Sequence, residues 1–235
     1  MTIIKNLTNV TNRIEKAAKA HRRNPDDIQL LAVSKTWSAQ YIREAAIAGQ
    51  QAFGENYLQE ALAKIEQLKD LTLHWHFIGP IQSNKTKDIA QNFDWVQSID
   101  RLKIAQRLSA QRPINLPPLN VCIQVNIDNE LSKSGVSEIE LGSLAESLNS
   151  LDRIVLRGLM IIPSKTDDIE QQRLSFRKAY VLYQQLAASY PSVDTLSMGM
   201  SGDMTTAISE GSTMVRIGSA LFGQRITPSS SGQVN

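Results

Sequence analysis

A lysine, an arginine and a loop of glycines and serines are the residues of this 235-residue chain best suited to chemistry. In "LLAVSKTWS", residues 30–38, Lys35 follows an apolar β-compatible run, so it falls at the end of a strand expected to be buried. Its ammonium group either snorkels to water or faces a pocket. In a pocket, desolvation or a nearby cation favours the neutral amine. That is the form that attacks a carbonyl to make a Schiff base. "SMGMSGD", residues 197–203, places two glycines and two serines just before a short predicted helix. Unused backbone N–H groups and the helix dipole suit an anion there, phosphate above all. The plainer reading is a turn capped by Ser201 or Asp203. Gly218, which closes "VRIG", could bring backbone up to the same anion.

Arg216 shares strand parity with Met214 and Gly218, opposite Val215 and Ile217, which predicts an inward side chain. Either it pairs with an acidic residue or it faces a ligand. Guanidinium does not readily give up its proton. A pyridine nitrogen beside it would stay unprotonated, a weaker electron sink than one with a carboxylate partner. An aldehyde that also bears a phosphate would engage Lys35 and the glycine–serine loop together, and pyridoxal 5'-phosphate (PLP) is such a molecule. His74 and His76 have a spacing a metal could use on a strand, but no acidic or cysteine cluster accompanies them, so no metal is expected. His76 could hydrogen-bond a ligand or be a satisfied core histidine. Cys122 follows the ordinary inside–outside alternation of its strand, and nothing marks its thiol as activated.

These residues share one kind of place. Each falls at or just after a predicted strand end: Lys35 ends the first strand, "FGENY" (53–57) closes the second, His76 and its loop follow the third, "SMGMSGD" follows the seventh and "VRIG" ends the eighth. The strands are read at "IQLLAVSK", "QAFGE", "LHWHFIG", "FDWVQSI", "VCIQVNI", "IVLRGLMII", "TLSMG" and "TMVRIG", each followed by helical sequence. Repeated strand–helix units imply parallel strands with crossover helices. Eight of them favour a closed (β/α)8 barrel, whose reactive groups gather at the C-terminal strand ends; a doubly wound open sheet is the alternative. Ile3/Ile4, Leu7, Val10, Ile14 and Ala17/Ala18 predict an extra N-terminal helix with one apolar stripe. The basic run "KAHRR" (19–23) falls in its last turn, where cations complement the helix dipole. The barrel is expected over residues 1–225, with a polar, disordered tail at 226–235.

Composition narrows the partners. A net charge of +2 gives no electrostatic footprint for nucleic acid or an acidic membrane. The single cysteine, Cys122, excludes an internal disulfide and zinc sites built on paired cysteines. No apolar run approaches the roughly 20 residues that span a bilayer, and the N-terminus lacks the features of a signal peptide. A cytoplasmic protein is expected.

"AVSKT", "FGENY", "WHFIGPIQSNK", "LSKSG", "RGLM", "SMGMSGD" and "VRIGSALFG" occur in this order. Together they resemble the pyridoxal-phosphate homeostasis proteins, from about residue 5 to 224. The resemblance implies a single TIM barrel like the N-terminal domain of alanine racemase (the fold type III PLP architecture), with PLP held as a Schiff base on Lys35. It implies that Ser201, Gly202 and Gly218 hold the phosphate, that Arg216 faces the pyridine nitrogen, and that Asn56 and His76 line the pocket. It also implies no established catalytic activity, a role in keeping PLP and amino- and keto-acid pools in balance, and PLP-dependent apoenzymes as possible recipients. An amino-acid racemase is the alternative. Racemases of this type add a tyrosine from a separate β-domain of a partner subunit, and the chain stops at Asn235 before any such domain. A non-catalytic monomer is therefore expected. A lysine-dependent aldolase shares the barrel, lysine and phosphate loop but not the family motifs.

Overall fold

The alternation of apolar strands and amphipathic helices closes into a barrel in the computed structural model, which describes residues 2–130 and 133–223. The tail expected at 226–235 lies outside the described residues. Helix α1 (Ile3–Ala20) comes first, followed by the repeating units. These are β1 (Gln29–Val33), α2 (Ala39–Ile47), β2 (Ala52–Glu55), α3 (Leu58–Gln67), β3 (His74–Phe77), α4 (Thr86–Asn92), β4 (Trp95–Ile99) and α5 (Leu102–Gln111). The second half runs β5 (Leu119–Val125), α6 (Glu138–Asn149), β6 (Ile154–Ile161), α7 (Ile169–Ser189), β7 (Thr195–Ser197), α8 (Met204–Ser209), β8 (Met214–Ile217) and α9 (Ser219–Phe222).

The strands pair in chain order, all parallel, and β8 returns to β1 with Leu30 opposite Val215 and Ala32 opposite Ile217. That pairing leaves no sheet edge and excludes the open doubly wound alternative. Most of the apolar core lies between the barrel wall and the surrounding helices, in one large cluster. A separate small cluster of Leu31, Ala52 and Met214, with Ile78 against it, fills part of the lumen. Inward side chains from different strands thus form a packed interior, not a channel.

Helix α1 behaves as its stripe requires: Ile3, Leu7, Val10, Ile14, Ala17 and Ala18 are buried. Thr2 caps it by accepting from Lys5 N–H at 3.4 Å. The basic run does something else than expected. The helix stops at Ala20 with only Lys19 in its last turn. Arg23 instead donates to Ile208 O and Ser212 O, at 2.8 and 2.7 Å, around the C-terminal end of α8. It therefore ties the chain just after α1 to the end of α8 and the loop that follows it.

Candidate functional site

A cavity of about 380 Å³ opens at the C-terminal strand ends, within the size range of small-molecule sites, roughly 300–1,000 Å³. Lys35, Asn56, Ser201, Gly202, Arg216 and Gly218 all line it. Six of the seven residues singled out in the sequence therefore meet in one place. His76 does not.

Lys35 stands two residues beyond the strand, not at its end. β1 stops at Val33, because Ser34 N–H makes a last bond to Gly54 O (3.1 Å) and the chain then turns. Trp37 N–H closes that turn on Ser34 O at 3.1 Å. Thr36 sits in it at φ +72°, a backbone region that a β-branched residue rarely enters. Ser38 is the N-cap of α2, but its side chain makes no capping bond. Lys35 itself is half-buried, with its side chain in the cavity wall.

Another part of the cavity lining is main chain. Gly199 has φ +96°, and a Cβ there would come within 2.6 Å of Ala207 Cβ, so this position requires glycine. The loop then turns through 201–203 into α8, which has Asp203 as its N-cap residue. Asp203 does not cap the helix with its side chain; its Oδ1 accepts from Met200 N–H at 2.6 Å. Ser201 Oγ accepts from Ala220 N–H at 3.4 Å, tying the loop to α9. Among the described residues, the N–H groups of Ser201, Gly202, Gly218 and Ser219 have no backbone acceptor, and all four residues line the cavity. A Cβ on Gly202 would meet only open space. The capped-turn reading holds in part, since Asp203 is the N-cap residue and closes the turn on Met200, but its carboxylate leaves the helix N–H groups uncapped.

Arg216 points into the barrel as its parity predicts. Its described partners are neutral oxygens: Nη1 donates to Ser197 O (2.8 Å) and Oγ (2.9 Å), and Nη2 to Ile161 O (2.8 Å). The ion-pair alternative is not what is seen. Burial pulls its guanidinium down to about 10, against the opposing pull of Asp203 and Cys122, which still leaves it charged at neutral pH. Cys122 nearby is held up at about 12 by burial, with Asp194 adding to the rise and Arg157 and Arg216 opposing it. Its thiol is inert, as expected.

From Arg216 a polar chain descends through the lumen. Ser197 Oγ on β7 donates to Gln97 Oε1 on β4 at 2.7 Å, crossing the barrel. Gln97 Nε2 lies 2.9 Å from His76 Nδ1. His76 is fully buried, its ring stacked on Trp95 at 5.1 Å, and burial, with His74 adding to it, depresses it to about 3. It is neutral and lies in the core, but it is not the satisfied core histidine of the second reading, because its Nε2 is buried without a hydrogen-bond partner. Strand parity gave its direction but not its depth below the cavity.

Asn56 is held by close packing: a Cβ on Gly79 would come within 2.3 Å of Asn56 O, so glycine is required in the loop after β3. Its Oδ1 is buried and has no hydrogen-bond partner, while the residue lines the cavity. A buried, unmatched acceptor on a residue that lines such a space is one that a ligand donor could satisfy. The sequence reading missed the apolar wall of Trp37, Ile78, Met160 and Ile162. Met160 and Ile162 alternate at the end of "RGLMII", a signal that inward parity at a strand end could have given.

The geometry has counterparts in known proteins. The family model described as "Alanine racemase, N-terminal domain" matches residues 6–226. A pyridoxal phosphate homeostasis protein of Pseudomonas aeruginosa is 56% identical over 95% of this chain and 96% of its own. The chain belongs to this family of pyridoxal phosphate homeostasis proteins, built on the alanine racemase N-terminal domain. A second member, from Vibrio alginolyticus, is 54% identical over 95% of this chain and 98% of its own. Among solved structures, PipY of Synechococcus elongatus with PLP bound superposes with a TM-score of 0.78. It is 37% identical and covers 89% of this chain and 99% of its own. An alanine racemase of Corynebacterium glutamicum, TM-score 0.64 at 18% identity, shares the fold alone.

Proposed function

We propose that this chain binds pyridoxal 5'-phosphate at the barrel mouth, with Lys35 as its covalent anchor, and that it holds the cofactor without turning over a substrate. The observation that carries this reading is the cavity itself, which gathers an amine, four N–H groups without a backbone acceptor and a charged guanidinium. The residues fit the group. The amides of Ser201, Gly202 and Gly218, joined by Ser219, suit a phosphate dianion. The orphan Asn56 Oδ1 can accept from a ring hydroxyl. Arg216, fixed by three hydrogen bonds, offers no acceptor and no transferable proton to a pyridine nitrogen. The relatives named for this cofactor, and PipY with it bound, support the same reading.

When bound, PLP supplies an aldehyde that an amine captures as a Schiff base, and a ring that withdraws electrons. The protein's part is to present the Lys35 amine half-desolvated, to grip the phosphate with main chain, and to keep the ring nitrogen unprotonated. The last of these weakens the electron sink and suits a holder better than a catalyst. Two-base racemisation needs a second proton-exchanging side chain, and among the described residues Lys35 is the one cavity-lining group suited to the task. His76 remains outside this binding set. A cytoplasmic monomer that buffers PLP, hands it to apoenzymes and so influences amino- and keto-acid pools is consistent with the reading. Among the described residues no helix is long and apolar enough to cross a membrane.

The test is an absorbance titration of the purified protein with PLP, alongside Lys35→Ala. The wild type should develop a visible band that saturates at one PLP per chain, and Lys35→Ala should not. A wild type that takes up no PLP would overturn the reading. Measurable interconversion of D- and L-alanine by the loaded protein would overturn its non-catalytic part.

A further inference from the structure

Beneath the turn that carries Lys35 lies a buried charged cluster that the binding site does not use. Lys64, on α3, is only 4% exposed. Its ammonium donates to Glu55 Oε1 (2.7 Å), Glu60 Oε1 (2.5 Å) and Ser34 O (2.8 Å), which accounts for all three of its donors. The same two carboxylate oxygens reach the turn directly. Glu55 Oε1 accepts from Ser34 Oγ at 2.6 Å, and Glu60 Oε1 accepts from Thr36 N–H at 2.5 Å. Both neighbours of Lys35 are therefore gripped by one cluster, Ser34 at its carbonyl and hydroxyl and Thr36 at its amide.

The grip falls where the backbone resists. Ser34 to Trp37 form a four-residue turn with Thr36 in the third position at φ +72°. Type II turns ordinarily carry glycine there. A β-branched residue persists in such a conformation only when its surroundings over-determine it, and such strain gathers at functional sites. A buried Lys with two carboxylates is also a costly choice for stability alone, since apolar packing of equal volume often serves as well. A surface pair at i and i+4 would have needed neither the burial nor the contacts to the turn.

We infer that Lys64, Glu55 and Glu60 are positioning residues for the cofactor lysine: they hold the Ser34–Thr36 turn in the strained shape that aims Lys35 into the cavity. The inference rests on the proposed capture of PLP by Lys35. Lys64 does not touch the cavity. It acts through Ser34 and, by way of Glu60, through Thr36. Glu55 spends one oxygen on Ser34 and Lys64 and keeps the other buried without a partner.

Lys64→Met would strand Glu55 in the interior, and unfolding would mask any effect on the site. Glu60 is the better probe, because its side chain is 29% exposed. Three variants, Glu60→Ala, Thr36→Gly and the double change, are titrated with PLP by visible absorbance. Melting of the cofactor-free forms and borohydride fixation at the Lys35 peptide are read in parallel. Glu60→Ala should weaken PLP binding about tenfold, equivalent to about 1.4 kcal/mol, and lower fixation at Lys35, with little change in melting of the cofactor-free protein. Thr36→Gly should recover most of that loss in the double variant, because glycine adopts the turn unaided. Wild-type affinity in Glu60→Ala, or a double variant as weak as Glu60→Ala, would overturn the inference while leaving PLP binding intact. A wild type that binds no PLP would fail the functional reading first, and the positioning role with it.

Discussion

Arg216 and His76 sit on one hydrogen-bonded chain, and burial lowers both, yet at neutral pH the first is charged and the second neutral. Arg216 keeps its charge because three oxygens receive its N–H groups. Arg216→Met would orphan Ser197 O and Ile161 O, each at a cost of about 1–3 kcal/mol, and remove the cation from the cavity. The expected outcome is a lower unfolding midpoint together with a changed visible spectrum of bound PLP. A stability loss with an unchanged spectrum would mean that the guanidinium is structural only. His76 is held at about 3 by burial, against about 6.5 when unfolded. Between those values the unfolded chain takes up a proton that the folded chain refuses, so stability falls as pH falls through the window, by up to about 1.4 kcal/mol per pH unit. The stability advantage of wild type over His76→Asn should therefore shrink steadily from pH 6.5 to pH 4 in denaturant titrations. A difference constant with pH would contradict a buried neutral imidazole. Residue type and parity made Lys35 and Arg216 legible in the sequence. Depth was not legible, because it depends on how strands stagger around a closed barrel, which is why the sequence left His76 open between the pocket and the core. Lys64 was invisible for another: Glu60 and Lys64 at i and i+4 look like any solvated helix pair.

Strands and helices were read from alternation and apolar spacing, and their order was enough to expect a closed barrel. The boundaries carry what was missed. β1 ends at Val33 because the next residues are committed to a turn, so the lysine comes from a loop held by α3 rather than from a rigid strand. Likewise the 197–203 loop is shaped by Gly199 and by the Asp203 carboxylate on Met200 N–H, not by a side chain capping the helix. Gly199→Ala places a Cβ against Ala207 at φ +96°, a strain of about 1–3 kcal/mol. It should lower stability by about that amount and weaken PLP binding through the displaced amides at 201 and 202. Retained affinity alongside the stability loss would remove those amides from the phosphate site.

On the scale of the whole molecule, the barrel mouth joins groups far apart in sequence: Lys35 from the first unit and Arg216 and Gly218 from the last. The β1–β8 pairing brings them together, so ligand binding and barrel closure are coupled. PLP at about 100 times its dissociation constant should add about 2.7 kcal/mol of stability, or roughly 5–10 °C in melting temperature for a chain of this size. Calorimetry should show that rise in wild type and a much smaller one in Lys35→Ala. Equal rises would place the binding energy elsewhere.

Borohydride reduction of the PLP-loaded protein, followed by peptide mass mapping, asks most directly whether Lys35 captures the cofactor. The expected result is one reduced pyridoxyl group per chain, on the peptide containing Lys35. Label confined to other lysines, with Lys35 unmodified, would contradict it.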